Sequence, residues 1–268
     1  MKPILQITVS LLAAAAVAWA APARAADPSA DEIVKHSLES YYYAGNDMRA
    51  RVSMKLINVQ GKVRERELTM LRLNVGKSGG QRYYMYFHAP ADVKATSFLV
   101  WKYPAKEDDR WIYVPALKQV KRIAADDKRS SFVGSDFTYE DVSGRDLEDE
   151  THALLRNEDL AGRPVYVVES RPRAPAAYSR RLSWIDRERW LPLKEEYFDA
   201  RNEPLRTFSA DKVEQIGKQW MVTVRSMKDL QSGHHTEVVF RETEFDVGIK
   251  QDIFTERYLR DAPTQWIR

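Results

Sequence analysis

Residues 109–146 read DRWIYVPALKQVKRIAADDKRSSFVGSDFTYEDVSGRD. The first part is a short alternating strand, Trp111-Ile112-Tyr113-Val114, closed by Pro115. A second strand, Gln119–Ile123, follows after a turn, so the two form a hairpin. Then the period-two pattern stops. A polar run, Ala124–Ser131, leads into Phe132-Val133-Gly134-Ser135-Asp136-Phe137-Thr138-Tyr139-Glu140-Asp141, which has neither strand period nor the length of a helix. An irregular segment carrying three aromatic rings gains nothing from exposing them to water, so it covers something. The segment reads as a plug or lid lying on the hairpin and on the sheet that continues from it, and Phe132–Tyr139 as its moving part.

Outward from this stretch, strands dominate. Toward the N-terminus, Met48, Ala50, Val52, Met54 and Leu56 alternate with polar residues, which predicts a strand with one dry face. Gln60-Gly61-Lys62 turns the chain into Val63–Val75, and the runs 83–88 and 97–103 lead into the hairpin. Toward the C-terminus the runs 152–156, 165–170, 180–185, 191–199, 205–213, 220–227 and 236–245 follow at short spacing. Helices are expected only at the margins. Ser29 and Glu32 form a capping box ahead of Ile33, Val34, Leu38, Tyr41 and Tyr42 on one helical face. A short C-terminal helix, Asp252–Arg260, places Phe254, Tyr258 and Leu259 together. The pattern predicts a mainly β fold, one large curved antiparallel sheet with N-terminal, lid and C-terminal helices; a β-sandwich is the alternative architecture.

The N-terminus sets the compartment. Lys2, the apolar run 4–21 and the small residues flanking Arg24 read as a secretory signal peptide, residues 1–25, cut after Ala25. The rest, 26–268, is expected to form one domain in the periplasm, monomeric and without a lipid anchor, since the chain has no cysteine to acylate. A chain of this length buries a sizeable core without disulfides. The whole chain has 42 Lys+Arg against 39 Asp+Glu, and the leader removes two cations, Lys2 and Arg24, and no acid. So even a balance gives no footprint for nucleic acid.

No catalytic constellation stands out: there is no cysteine nucleophile, no G-x-S-x-G and no H-E-x-x-H. His234 and His235 are adjacent and on a strand would face opposite ways, so no metal site and no cofactor are expected. The carboxylates Asp126, Asp127, Asp136, Glu140 and Asp141 gather around the lid, with Arg110, Arg129 and Arg145 as ion-pair partners. What does stand out is an apolar inventory suited to a flexible apolar guest: Met54, Leu56, Met70, Trp101, Trp111, Tyr113, Phe132, Phe137, Tyr139 and Trp184. These are the candidate ligand-binding residues.

Several of these stretches carry a resemblance. Trp111–Pro115, Lys121-Arg122-Ile123, Ser131–Asp141 and the later hairpin Trp184-Ile185-Asp186 through Leu191–Lys194 resemble the LolA-like outer-membrane lipoprotein-sorting superfamily, in its larger periplasmic branch. The resemblance covers essentially the whole mature chain. It implies an unclosed half-barrel whose helices lie over a hydrophobic cavity; with no catalytic constellation in the sequence, no enzyme activity is expected. The implied function is a periplasmic carrier that binds a lipidic ligand, lipoprotein acyl chains or another membrane lipid, for transport toward an outer-membrane acceptor. An RND-type membrane transporter is an implied partner. A sensor or assembly factor for such a transporter, or a small-molecule enzyme on the same fold, are the alternatives. The family's lid-anchoring arginine has Arg110 or Arg122 as its counterpart in this reading.

Overall fold

The computed structural model describes residues 27–76, 79–104 and 106–268; the expected leader, 1–25, lies outside the described residues. The chain begins with α1 (Ala30–Tyr42), whose capping box forms as its sequence dictates. Ser29 Oγ accepts from the Glu32 amide at 3.3 Å, and a Glu32 carboxylate oxygen accepts from the Ser29 amide at 2.8 Å.

Six strands follow as an antiparallel meander: β1 (Asp47–Ile57), β2 (Val63–Val75), β3 (Gly80–Ala89), β4 (Ser97–Lys102), β5 (Asp109–Val114) and β6 (Gln119–Ile123). A second meander comprises β7 (Glu150–Leu160), β8 (Arg163–Pro172), β9 (Arg180–Asp186), β10 (Pro192–Phe198), β11 (Pro204–Ile216), β12 (Gln219–Asp229) and β13 (His235–Phe245). All thirteen join one sheet in the order β6-β5-β4-β3-β2-β1-β13-β12-β11-β10-β9-β8-β7. The first and last strands therefore meet at the centre, with Met54 opposite Val238 and Leu56 opposite Thr236. Strands β6 and β7 are the free edges. The sheet is antiparallel throughout, and it is not closed into a barrel.

This order accounts for the lid. Residues 124–149 are the connection from one edge of the sheet to the other, so they must cross a face. They do so through a 3₁₀ turn (Ala125–Arg129), a bridge between Ser131 and Thr138, the one-turn helix α2 (Tyr139–Ser143) and a second 3₁₀ turn (Leu147–Asp149). α1 lies across the second meander on its inner face, its start packed on Tyr166, Val168 and Ile185 of β8 and β9 and its end on Phe208 of β11. Thirteen residues at about 1.5 Å each reach ~19 Å, four strand spacings of about 4.8 Å, so the helix bridges β8 and β12.

The inner face is covered along most of the sheet and the outer face over β2–β5. On the inner face, residues from β1–β4 and β10–β13 pack with Phe132 and Phe137 of the lid in one cluster. On the outer face, Ile249, Ile253, Phe254, Leu259 and Ile267 of the C-terminal segment cover Leu71, Tyr84, Leu99 and Trp111. That segment is not the continuous helix expected over 252–260. A 3₁₀ turn (Gln251–Ile253) precedes α3 (Glu256–Arg260), and α4 (Thr264–Ile267) follows. The carbonyls a longer helix would use are taken by the sheet: Phe254 O accepts from Trp101 Nε1 at 2.8 Å, Tyr258 O from Tyr84 Oη at 2.8 Å, and Leu259 O from Ser97 Oγ at 2.6 Å. Among the described residues, no helix is long and apolar enough to cross a membrane.

Candidate functional site

Strand alternation builds the floor of the site. Val52, Met54, Leu68, Met70, Met85, Val238 and Phe240 occupy same-face positions on neighbouring strands. The lid enters this floor from above. Phe132 N donates to Phe137 O at 2.7 Å and closes a tight loop, with Val133 and Gly134 at φ +50° and +80°. The loop drives Phe132 against Phe98 and Phe87, with ring centroids 5.3 and 6.1 Å away, and Tyr139 packs edge-on to Phe132 at 5.5 Å.

Two small cavities remain beneath the lid. One, of about 40 Å³, lies over the methionine floor; the other, of about 50 Å³, lies between α1 and the inner face of β9–β12, beside Tyr41, Tyr197, Phe208 and Met227. Phe137, Asp141 and Arg225 line both, so the Phe137 ring stands as a partition. Pockets that enclose drug-sized ligands measure ~300–1,000 Å³, so neither of these two apolar cavities holds one with the crossing segment in this position.

Charge as well as packing pins the lid. Arg206 on β11 holds Asp141 with both terminal nitrogens, at 2.7 and 3.0 Å, and also donates to Asp136 O at 3.2 Å. Burial would push the Asp141 carboxyl up, but the Arg206 charge and hydrogen bonds from Arg206 and Thr138 hold it below its ordinary value. At the lid tip Asp136 accepts from Thr236 Oγ1 at 2.7 Å and lies 2.7 Å from His234 Nδ1. At the far end Lys102, buried, donates to Ser143 O and Gly144 O at 3.0 and 3.1 Å and pairs with Asp146 at 3.1 Å. Arg145 holds Glu140 at 3.0 Å.

Gly144 itself sits at φ +71°, and a Cβ there would meet the Tyr42 ring of α1 at 2.7 Å. Gly144→Ala should cost about 1–3 kcal/mol, read as a lower midpoint in urea unfolding with an unchanged slope.

Of the residues singled out from sequence, the structure brings Met54, Leu56, Met70, Phe132, Phe137 and Tyr139 together on the inner face. It does not bring Trp101, Trp111, Tyr113 or Trp184 to them. Trp101, Trp111 and Tyr113 alternate with Val100, Arg110 and Ile112, face outward, and pack with the C-terminal segment. Trp184 lies outward on β9 with Val165 and Val167, its indole donating to Glu158. The uninterrupted run Ser97-Phe98-Leu99-Val100-Trp101 signals a strand covered on both faces, which makes its rings ambiguous as ligand contacts. Nor is Arg122 a lid anchor: it is exposed and pairs with Asp109 on the outer side. Arg110 pairs with Asp108 at 2.6 Å and only reaches the lid at Ser143 Oγ, 3.3 Å away. The residues that sequence reasoning missed are Arg206, Arg225 and Met85. The signal for the arginines was positional, because each occupies the inward parity of its strand. Among the described residues, no group of His, Asp and Glu is placed to hold a metal ion.

The architecture has counterparts among solved structures. An outer membrane lipoprotein-sorting protein domain from Vibrio parahaemolyticus superimposes with a TM-score of 0.80 at 30% identity, covering 86% of this chain and 98% of that one. The chain belongs to the LolA-like outer-membrane lipoprotein-sorting superfamily. A DUF1329 family protein from Desulfovibrio piger is similarly close to this LolA-like chain, with a TM-score of 0.79 at 27% identity over 85% of this chain and 96% of that one. A LolA superfamily protein from Nitrosomonas europaea shares the fold at 19% identity and a TM-score of 0.69, covering 87% of this chain and 100% of that one. A family model described as an uncharacterized protein matches residues 79–261, which include the LolA-like lid. Curated proteins yield no match.

Proposed function

We infer that residues 26–268 form a single lipid-binding domain that acts, after removal of the leader, as a periplasmic carrier. Its ligand is a lipidic molecule, lipoprotein acyl chains or another membrane lipid, held on the inner face for delivery toward the outer membrane. An RND-type transporter fits as the donor and an outer-membrane protein as the acceptor. The observation that carries this reading is the pairing of a methionine-rich apolar floor with a crossing segment held by ion pairs. Methionines repack around a flexible guest, and ion pairs at a lid break and reform without unravelling a core.

The magnitudes are compatible. Burying an acyl chain stabilises by about 0.8 kcal/mol per CH₂, so roughly 12 kcal/mol gross for a 16-carbon chain. Ordering the chain and breaking the lid's tethers subtract from this, leaving the modest net affinity that onward transfer requires. Polar groups of the cavity are tied to one another, as Arg181 is to Glu150 at 2.7 Å and Glu195 at 3.4 Å, which favours binding over acid–base chemistry.

Native mass spectrometry of the protein purified from its own periplasm tests the reading directly. A lipid adduct is expected; repeated recovery without lipid, together with no uptake of a fluorescent fatty acid, would reject it. The register supplies a second check. Met54→Gln places an amide on the dry face, should cost about 1–3 kcal/mol, and should weaken uptake of the fluorescent probe. Lys55→Gln, one residue along and exposed, should change neither.

A further inference from the structure

Three arginines, Arg181, Arg206 and Arg225, line or border the cavity beneath α1. Two of them are matched by carboxylates. Arg181 holds Glu150 and Glu195, and Arg206 holds Asp141. Arg225 is different: among the described residues no carboxylate lies within ion-pair distance of it. Its Nη1 donates to the Tyr41 hydroxyl, a neutral acceptor. Its guanidinium lies 4.7 Å from the Phe240 ring centre and 5.6 Å from those of Phe137 and Tyr41.

Placement makes this more than an incidental cation. Arg225 stands opposite Val238 in the ladder, on the apolar face, and borders both cavities alongside the Phe137 partition. A purely aliphatic ligand gains nothing from a cation in its binding site, and desolvating one without a counter-charge is costly. Aromatic faces offset part of that cost; an anion would offset more. The titratable groups that share the cavity with Arg225 include Tyr41 and Tyr42 on α1, and Asp141 and Glu195, whose carboxylates are already engaged by Arg206 and Arg181.

We propose that Arg225, with the Tyr41 hydroxyl beside it, is the head-group site of the cavity, and that the ligand is an anionic amphiphile whose carboxylate or phosphate sits at Arg225 while its tail lies over Met54, Met70 and Met85. This rests on the carrier reading and narrows it, because an acylated lipoprotein N-terminus presents no anion at that position.

The test compares a polyene fluorescent fatty acid with its methyl ester, on the wild-type protein, Arg225→Gln and the conservative Arg225→Lys, with circular dichroism and melting to confirm folding. The wild type should bind the acid about tenfold or more tightly than the ester, the scale of one charge-assisted hydrogen-bond pair. Arg225→Gln should narrow that gap to about twofold or less, and Arg225→Lys should keep most of it. A parallel pair, phosphatidic acid and diacylglycerol as competitors, tells a phosphate head from a carboxylate. Equal binding of acid and ester by the wild type, or a gap that survives in Arg225→Gln, overturns the head-group assignment and leaves the carrier reading standing. Failure of the wild type to bind acid, ester or either glycerolipid overturns the carrier reading, and this assignment with it.

Discussion

Arg206→Met should destabilise the protein by about 3–5 kcal/mol at neutral pH, the cost of removing one member of a buried ion pair. The arginine is buried, and its loss strands Asp141 at the base of the lid. The sign of the pH dependence identifies the cause. In the wild type the folded Asp141 carboxyl titrates below its unfolded value, so the pair's contribution is fully present above about pH 4 and is lost as pH falls through the folded value. In the variant burial, the largest influence on Asp141, is opposed only by the Thr138 hydrogen bonds, so the carboxyl titrates above its unfolded value and acidification stabilises. Wild type and variant should therefore converge as pH drops from 7 to 4 in urea unfolding followed by fluorescence. Adding Asp141→Asn should recover part of the loss at pH 7. The same variant should admit a fluorescent fatty acid faster in stopped flow, because the lid has lost its strongest tether. A gap that stays constant between pH 7 and pH 4 would mean that Arg206 acts through packing alone.

The rings of the lid should separate into two behaviours. Phe132 is 3% exposed and touches Phe87, Phe98 and Tyr139, the packing of a core residue. Phe132→Ala should therefore cost about 3–5 kcal/mol. Phe137 is comparably buried, at 8%, but it stands between two cavities rather than inside a filled core. Phe137→Ala joins those cavities into one space. Because empty volume already flanks the ring on either side, its removal forfeits less dispersion attraction than the removal of a ring packed all round. Its melting temperature should fall less than that of Phe132→Ala, while affinity for a long-chain probe changes more. Identical melting losses with unchanged binding in both variants would make the whole segment core.

The contrast shows how far the sequence could be read. Period-two runs located every strand of the sheet, and the break in that period at Ala124 located the crossing segment, because both are local properties of the chain. The capping box at Ser29 was legible for the same reason. What escaped was non-local. Sequence alone credits Trp101 and Trp111 to the cavity, because a strand covered on both faces carries large side chains on both, and only the C-terminal segment tells one side from the other. Proximity in sequence points to Arg110 and Arg122 as the lid anchor, whereas Arg206 approaches from β11, across the sheet. The C-terminal helix breaks because side chains of β3 and β4 take its carbonyls, and no property of residues 252–260 announces that.

The pairing of β1 with β13 also has a bearing on how the chain acquires its shape. Every other neighbour in the sheet is a hairpin partner, close in sequence, and can form as soon as its two strands exist. The seam from Met48–Phe245 to Ile57–His235 is the exception. Closing a loop of about 180–200 residues costs about 3 kcal/mol more than closing a five-residue turn, so this pairing forms late and slows the whole reaction. Two half-sheets, each locally wound, must find each other edge to edge. Because the chain is made from its N-terminus, the partner of its first strand is the last to arrive. Until then β1 presents an unpaired ladder with one apolar face, the feature most prone to capture by another copy.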